Sequence, residues 1–425
     1  MPRSRDVARA SKRREETIET WDEWAECCID FMEGSSASHV TRWTLRKSAM
    51  ELVYSSSPGV HRSLFWNFCV ESQPVDGLPP MHELLELAAD APQTLKEQDL
   101  RSIRNDVCRT TRLSEEQREM LEQMLLAHAV FHQRLHDGKH VAKADGFDER
   151  PPIIYVQALH LIAALPLRAG LPVVDALAVF EFAVHRLCPG YFEDSNFSGF
   201  KCSVGVLHGL LMDIMPEVIT SFSSAGHPLL LFAFDPLLCL FTQRANGGVL
   251  RLWDVLLAEG ESVIVFALLI TLVERCLEEL KLLDPMLRGD FLEPEKFDER
   301  RSGIMIVEHF EELLRSLDDG SVKEVLRRTR ELMQWRGAST VSRRGRGGVT
   351  RGLLHERVAE LYLQATRKTG SVPAPNPVEE REEEATVSDR LMELPYNIVS
   401  EVGEVGSTIS SAFSSYIFRP LGLEG

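Results

Sequence analysis

No apolar run in this chain is long enough to cross a bilayer. The longest, Leu229–Phe241 and Val263–Val273, fall short of the roughly 18 to 20 residues a membrane helix needs, and Asp235 and Pro236 interrupt the first. No two of the eight cysteines form a CxxC pair, which argues against a zinc ribbon and against a disulfide framework, and for reduced thiols. No GxxxxGK[ST] loop is present to cradle a nucleotide's phosphates, and no GxSxG elbow to present a nucleophilic serine. Sustained strand alternation is absent, as is any repeat of fixed period. Basic charge is also scarce, since 47 Lys and Arg stand against 64 Asp and Glu for a net charge of -17. That balance excludes a broad electrostatic grip on nucleic acid.

The 425 residues are 44% hydrophobic and 26% charged, enough for a large globular core. Helical periodicity dominates, and the expected fold class is all-α. Segments at Thr17–Met32, Thr41–Tyr54 and Gly59–Val70 come first. Others follow at Leu100–Thr110, Glu115–His136, Val156–Ala169 and Val173–Leu187. Lys201–Phe222 reads as one helix kinked at Pro216. Gly248–Leu257, Ser262–Leu283, Ile304–Leu317, Val322–Met333 and Leu353–Gln364 complete the set. Pro151-Pro152, Gly170-Leu171-Pro172 and Glu259-Gly260 supply stop signals between them.

The expected organisation is a flexible basic arm over 1–16, N-terminal helices over 17–58 and a main helical domain over 59–290. C-terminal helices with a basic Gly-rich linker occupy 300–368, an acidic disordered linker 370–390 and an amphipathic segment 391–425. The first fourteen residues lack the apolar core of a secretory signal, and Glu15, Glu16 and Glu19 argue against a transit peptide.

One helix stands out. Within Leu100–Thr110, Leu100, Ile103 and Val107 form a buried stripe at i, i+3, i+7. Arg109 falls opposite it, with Asp106 three residues earlier on the same polar surface, in reach to orient the guanidinium. A planar, permanently charged fork suits a phosphate-facing role. Read from these residues alone, a solvated Asp–Arg ion pair worth about 0.2–0.5 kcal/mol is the plainer account. Gln157, after the Pro-Pro break, reads equally as a helix-start amide bonded to local backbone.

The order of four segments adds to this. Gly59-Val60-His61-Arg62-Ser63-Leu64-Phe65-Trp66 places a Trp four residues after an Arg. Ile103, Asp106, Arg109 and Thr110 form an IxxDxxRT pattern, and Tyr155 with Gln157 form YxQ. Leu250-Arg251-Leu252-Trp253-Asp254 then precedes Glu259-Gly260 and a long apolar helix. Together, over about half the chain, they resemble the Tre2-Bub2-Cdc16 (TBC) domain of GTPase-activating proteins for Rab GTPases. The resemblance implies a two-lobed all-α domain with helical extensions at both ends. It implies two catalytic residues supplied in trans: Arg109 to stabilise charge on the transferring phosphoryl group, and Gln157 to orient the attacking water. Asp106 would orient Arg109, while Arg62 and Tyr155 would shape the site. The partner would be a Rab-family GTPase that brings its own GTP and Mg²⁺, so the chain would need no cofactor of its own. A cytoplasmic location follows, peripheral on the cytosolic face of endomembranes. The competing expectation is a catalytically weak helical scaffold that binds GTPases or other trafficking proteins. The chain departs from the family after the glutamine, where Ala158-Leu159-His160 replaces the usual Gly-Met-Asn.

Other constellations carry less. His128, His132, His136 and His140 recur every four residues, a spacing that can chelate a metal. The glutamate of HExxH is missing and leucines share their side, so they read as core or groove histidines, with no metal site expected. Asp194, Asp235 and Asp254 look isolated. Ile398, Val402, Val405, Ile409, Phe413 and Tyr416 give residues 398–418 an apolar face, which either contacts a membrane interface or docks on the helical domain.

Overall fold

The computed structural model describes residues 18–34, 41–142, 154–193, 197–225, 229–244, 247–283, 299–334 and 353–369. The basic arm, the acidic linker and the 398–418 face lie outside them. Contacts divide the chain into Met1–Pro373 and Ala374–Gly425, and all described residues belong to the first unit.

That unit is all-α among the described residues. In chain order its helices are α1 (Trp21–Met32), α2 (Arg42–Ser55), α3 (Arg62–Glu71), α4 (Met81–Glu86), α5 (Ala91–Thr94), α6 (Glu97–Arg109), α7 (Glu115–Ala142), α8 (Ala158–Arg168) and α9 (Val173–Phe182). There follow α10 (Ser198–Ile214), α11 (Pro216–Ala225), α12 (Leu229–Ala233), α13 (Gly247–Glu259), α14 (Val263–Leu283), α15 (Glu299–Ser316), α16 (Asp319–Met333) and α17 (Leu353–Thr369). No described helix is long and apolar enough to cross a membrane.

Local chemistry explains the boundaries. Thr20 and Glu23 form a reciprocal capping box at the start of α1. Ser114 and Gln117 do the same for α7: Gln117 N donates to Ser114 Oγ at 3.2 Å and Ser114 N to Gln117 Oε1 at 3.0 Å. The Gln117 amide also donates to Leu167 O at 2.7 Å, which ties the start of α7 to the end of α8. α8 stops at Gly170, whose φ of 86° lets Leu171 N reach Pro166 O at 3.1 Å. The single kinked helix expected over Lys201–Phe222 is two helices. Proline disfavours helical geometry in the residue before it, and Met215 sits at φ -142°, ψ 64°, so the chain breaks there.

Aromatic packing joins the N-terminal helices to the main body. Trp21 and Phe65 rings lie 4.9 Å apart, and Trp24 and Phe68 rings 5.3 Å. Trp24 Nε1 donates to Leu45 O at 3.0 Å, so its buried donor is satisfied. α2 packs on α13 and α16. Tyr54 of α2 donates to Glu259 Oε1 at the end of α13, at 2.6 Å. At the other end, α15 packs on α11, α16 on α14, and α17 on α10, where Ser203 and Tyr362 hydroxyls lie 2.6 Å apart.

For the site, the relevant group is α6, α7 and α8. Leu100, Ile103 and Val107 are buried as the i, i+3, i+7 pattern requires, which holds α6 on α7. This leaves the C-terminal end of α6 beside the N-terminal end of α8.

Candidate functional site

The last turn of α6 carries Asp106, Arg109 and Thr110. The sequence pattern put Asp106 on a solvated surface with Arg109, but its exposure is 2%. Arg109 remains exposed, with 43% of its side chain accessible. The pair therefore joins a buried carboxylate to an outward-reaching guanidinium. Arg109 Nη2 donates to Asp106 Oδ1, and Arg109 Nε donates to Asn105 O at 3.2 Å. Thr110 Oγ1 donates back to Asp106 O at 2.7 Å and closes the helix end.

The opposite oxygen of Asp106 is held from α8's approach. Tyr155 donates its hydroxyl to Asp106 Oδ2 at 2.8 Å. Burial, and then the Asp106 charge, hold the Tyr155 phenol well above its usual pKa, so it stays protonated and able to donate. Tyr155→Phe should remove this bond and leave a buried carboxylate oxygen under-satisfied. The expected loss is about 1–3 kcal/mol of stability, read by urea denaturation; an unchanged midpoint would contradict it.

His160 approaches from α8, with Nδ1 3.7 Å from Asp106 Oδ2. Burial pushes its pKa down to about 4, against the pull of Asp106. The ring is thus neutral at neutral pH. A group more acidic in the folded state than its ordinary 6.5 takes up protons preferentially when unfolded, between those two values. Stability is then full above the unfolded value and falls as pH drops. By pH 5 the loss from this residue should approach about 2 kcal/mol. Thermal melts of wild type and His160→Asn across that range would measure it. Parallel acid limbs would show that His160 is not the source.

Gln157 stands in sequence between Tyr155 and His160, both of which reach Asp106. It is the N-cap of α8, which begins at Ala158, two residues later than the Val156 start expected. Its side chain makes no capping bond to that helix. The reading of Gln157 as an amide spent on its own helix start therefore has no counterpart in the cap geometry.

Arg62 lies elsewhere. Its Nε donates to Asp254 Oδ1 at 2.9 Å, and its Nη2 donates to Asp254 Oδ2 at 3.2 Å and to Ser57 Oγ at 3.0 Å. Trp66 Nε1 donates to the same carboxylate at 2.8 Å and Arg251 Nη1 at 3.3 Å, while Arg251 Nη2 bonds Val53 O. Asp254 is completely buried. Burial raises its pKa above the usual value, and the two arginines oppose that shift. This cluster joins α2, α3 and α13. The structure thus brings Asp106, Arg109 and Tyr155 together and puts Arg62 in a separate buried network. Sequence reading missed that network by treating Asp254 as isolated. The available signal was an Arg and an Asp, three apart, in a helix that is apolar but for them and its terminal Glu259.

Comparison with known proteins bears on this arrangement. The family model for the Rab-GTPase-TBC domain matches residues 60–281, more than half of the chain. The chain belongs to this family. A Drosophila melanogaster relative, TBC1 domain family member whacked, is 31% identical over 145 residues, covering 32% of this chain and 39% of that protein. Among solved structures, the Chlamydomonas flagellar RabGAP TBC domain aligns with a TM-score of 0.47 and 15% identity, over 74% of this chain and 96% of that one. The Ypt/Rab-GAP domain of Gyp1p gives a TM-score of 0.49 and 15% identity, over 74% and 98%. The Asp106–Arg109–Tyr155 group, Gln157, and Arg62, Trp66, Arg251 and Asp254 all fall within the TBC match.

Proposed function

We propose that this chain accelerates GTP hydrolysis by a Rab-type small GTPase, with Arg109 and Gln157 supplied in trans. The observation that carries the reading is an exposed arginine anchored to a buried carboxylate that is also held by Tyr155, two residues before Gln157. In hydrolysis, water attacks the γ-phosphorus, the bond to the β–γ bridging oxygen breaks, and charge spreads over the phosphoryl and leaving oxygens. Arg109 would donate to those oxygens. The Gln157 amide would accept from the attacking water with its carbonyl and donate with its NH₂ group.

Asp106 acts by positioning. It fixes one edge of the guanidinium and so reduces the rotamer entropy lost when the GTPase docks. Tyr155 in turn fixes Asp106. GTP and Mg²⁺ would arrive with the partner, at the cytosolic face of membranes where Rab-type GTPases act. The test is phosphate release from a panel of GTP-loaded Rab proteins, with Arg109→Lys and Gln157→Ala as controls. Gln157→Ala should lower stimulated hydrolysis about a hundredfold or more while leaving binding to the GTPase intact. Binding without acceleration by the wild-type chain would instead identify a helical scaffold.

A further inference from the structure

Beneath the α7–α9 contact lies a second polar cluster that the GTPase reading does not use. Glu181 of α9 is completely buried, and His128 of α7 is 2% exposed. His128 Nδ1 lies 2.8 Å from Glu181 Oε1. His132, one turn along α7, places its ring centroid 4.2 Å from that of His128. One ligand atom each from His128, His132 and Glu181 fall within 4.8 Å of one another. His185 approaches the other carboxylate oxygen, Nε2 to Oε2 at 3.3 Å, and its ring stacks on His132 with centroids 5.6 Å apart.

In sequence no carboxylate lies between His128 and His132, and the fold supplies Glu181 from another helix. His185 sits in the π-helical turn Ala183–Leu187 that continues α9, a local widening that often marks functional positions. A completely buried carboxylate faced by imidazoles from two helices is a poor apolar packing element and a good ligand set.

We propose that His128, His132 and Glu181 form a site for a divalent transition-metal ion of the zinc class. Imidazole and carboxylate are the donors such an ion prefers. A tetrahedral ion with metal–nitrogen bonds of about 2.0–2.1 Å spaces its ligands about 3.3 Å apart, and the three ligand atoms lie within 4.8 Å of one another. His185 is a positioning residue, orienting the carboxylate through its second oxygen. His132 and His185 are part-exposed and provide the way in from solvent. The ion's role is structural: it clamps α7 to α9.

The test uses the full chain, stripped with chelator, kept reduced, and titrated calorimetrically with Zn²⁺. Co²⁺ serves as the spectroscopic probe. The expected result is saturable uptake of one ion per chain, a raised melting temperature, and a tetrahedral Co²⁺ spectrum without thiolate charge transfer. His132→Gln, at a part-exposed position that should tolerate the change, is expected to abolish uptake with the helical circular dichroism retained. His185→Gln should weaken binding about ten- to a hundredfold. Absence of saturable uptake by the wild type, uptake undiminished in His132→Gln, or a thiolate band that assigns the ion to cysteines would each overturn the proposal.

Discussion

Arg109→Lys is expected to lower stimulated GTP hydrolysis about a thousandfold or more, without loss of folded protein. The size follows from what an arginine supplied in trans contributes to GTPases, about 10³–10⁵ in rate. The direction follows from geometry. One guanidinium can donate to Asp106 with one edge and to a phosphoryl oxygen with another, because its donors are fixed in a planar fork. A lysine ammonium is a point charge, and pairing it with Asp106 draws it away from the phosphate. Stability should barely change, because the lysine ammonium keeps a positive charge in reach of buried Asp106 and nearly half of the Arg109 side chain is in solvent. Single-turnover phosphate release measures the rate, and a pull-down with the GTP-bound partner measures binding. A variant that keeps a tenth or more of the wild-type acceleration would remove Arg109 from the chemistry.

The candidate site was legible where its residues are local. Leu100, Ile103 and Val107 gave α6 its inner face from spacing alone, and with it the outward position of Arg109. Burial of Asp106 was not legible. Position 106 falls between the apolar stripe and the solvated side, and its environment is set by Tyr155, which arrives from a loop far along the chain. The same limit applies to His128, whose partner Glu181 lies on another helix, and to Asp254, whose partners come from α3 and from α13 itself. Periodicity reports which side of a helix faces inward. It does not report which polar group waits on the other element. The break at Met215 is the converse case, where Pro216 marked the position and steric exclusion before proline decided between a kink and a stop.

Asp254→Ala is expected to destabilise the chain by about 3–5 kcal/mol, the range found when one partner of a buried charge cluster is removed. The native carboxylate accepts from Arg62, Trp66 and Arg251, and no solvent reaches it. Its removal leaves two guanidinium groups and an indole N–H with their shared acceptor gone. Against a typical total of about 5–15 kcal/mol, this would leave a marginal fold, visible as a large shift of the urea midpoint. Asp254→Asn keeps the shape and one acceptor for Trp66, so it should fall between wild type and alanine. A loss below about 1 kcal/mol for the alanine variant would mean that the cluster is not an organising element. The same experiment assigns Arg62. If its place is in this network, Arg62→Ala should lower stability and leave hydrolysis per folded molecule close to wild type. A rate loss in fully folded Arg62→Ala would put Arg62 at the GTPase interface instead. Arg109→Lys should give the opposite signature, rate lost and stability kept, so the two arginines of the family pattern are separable by which quantity each one moves.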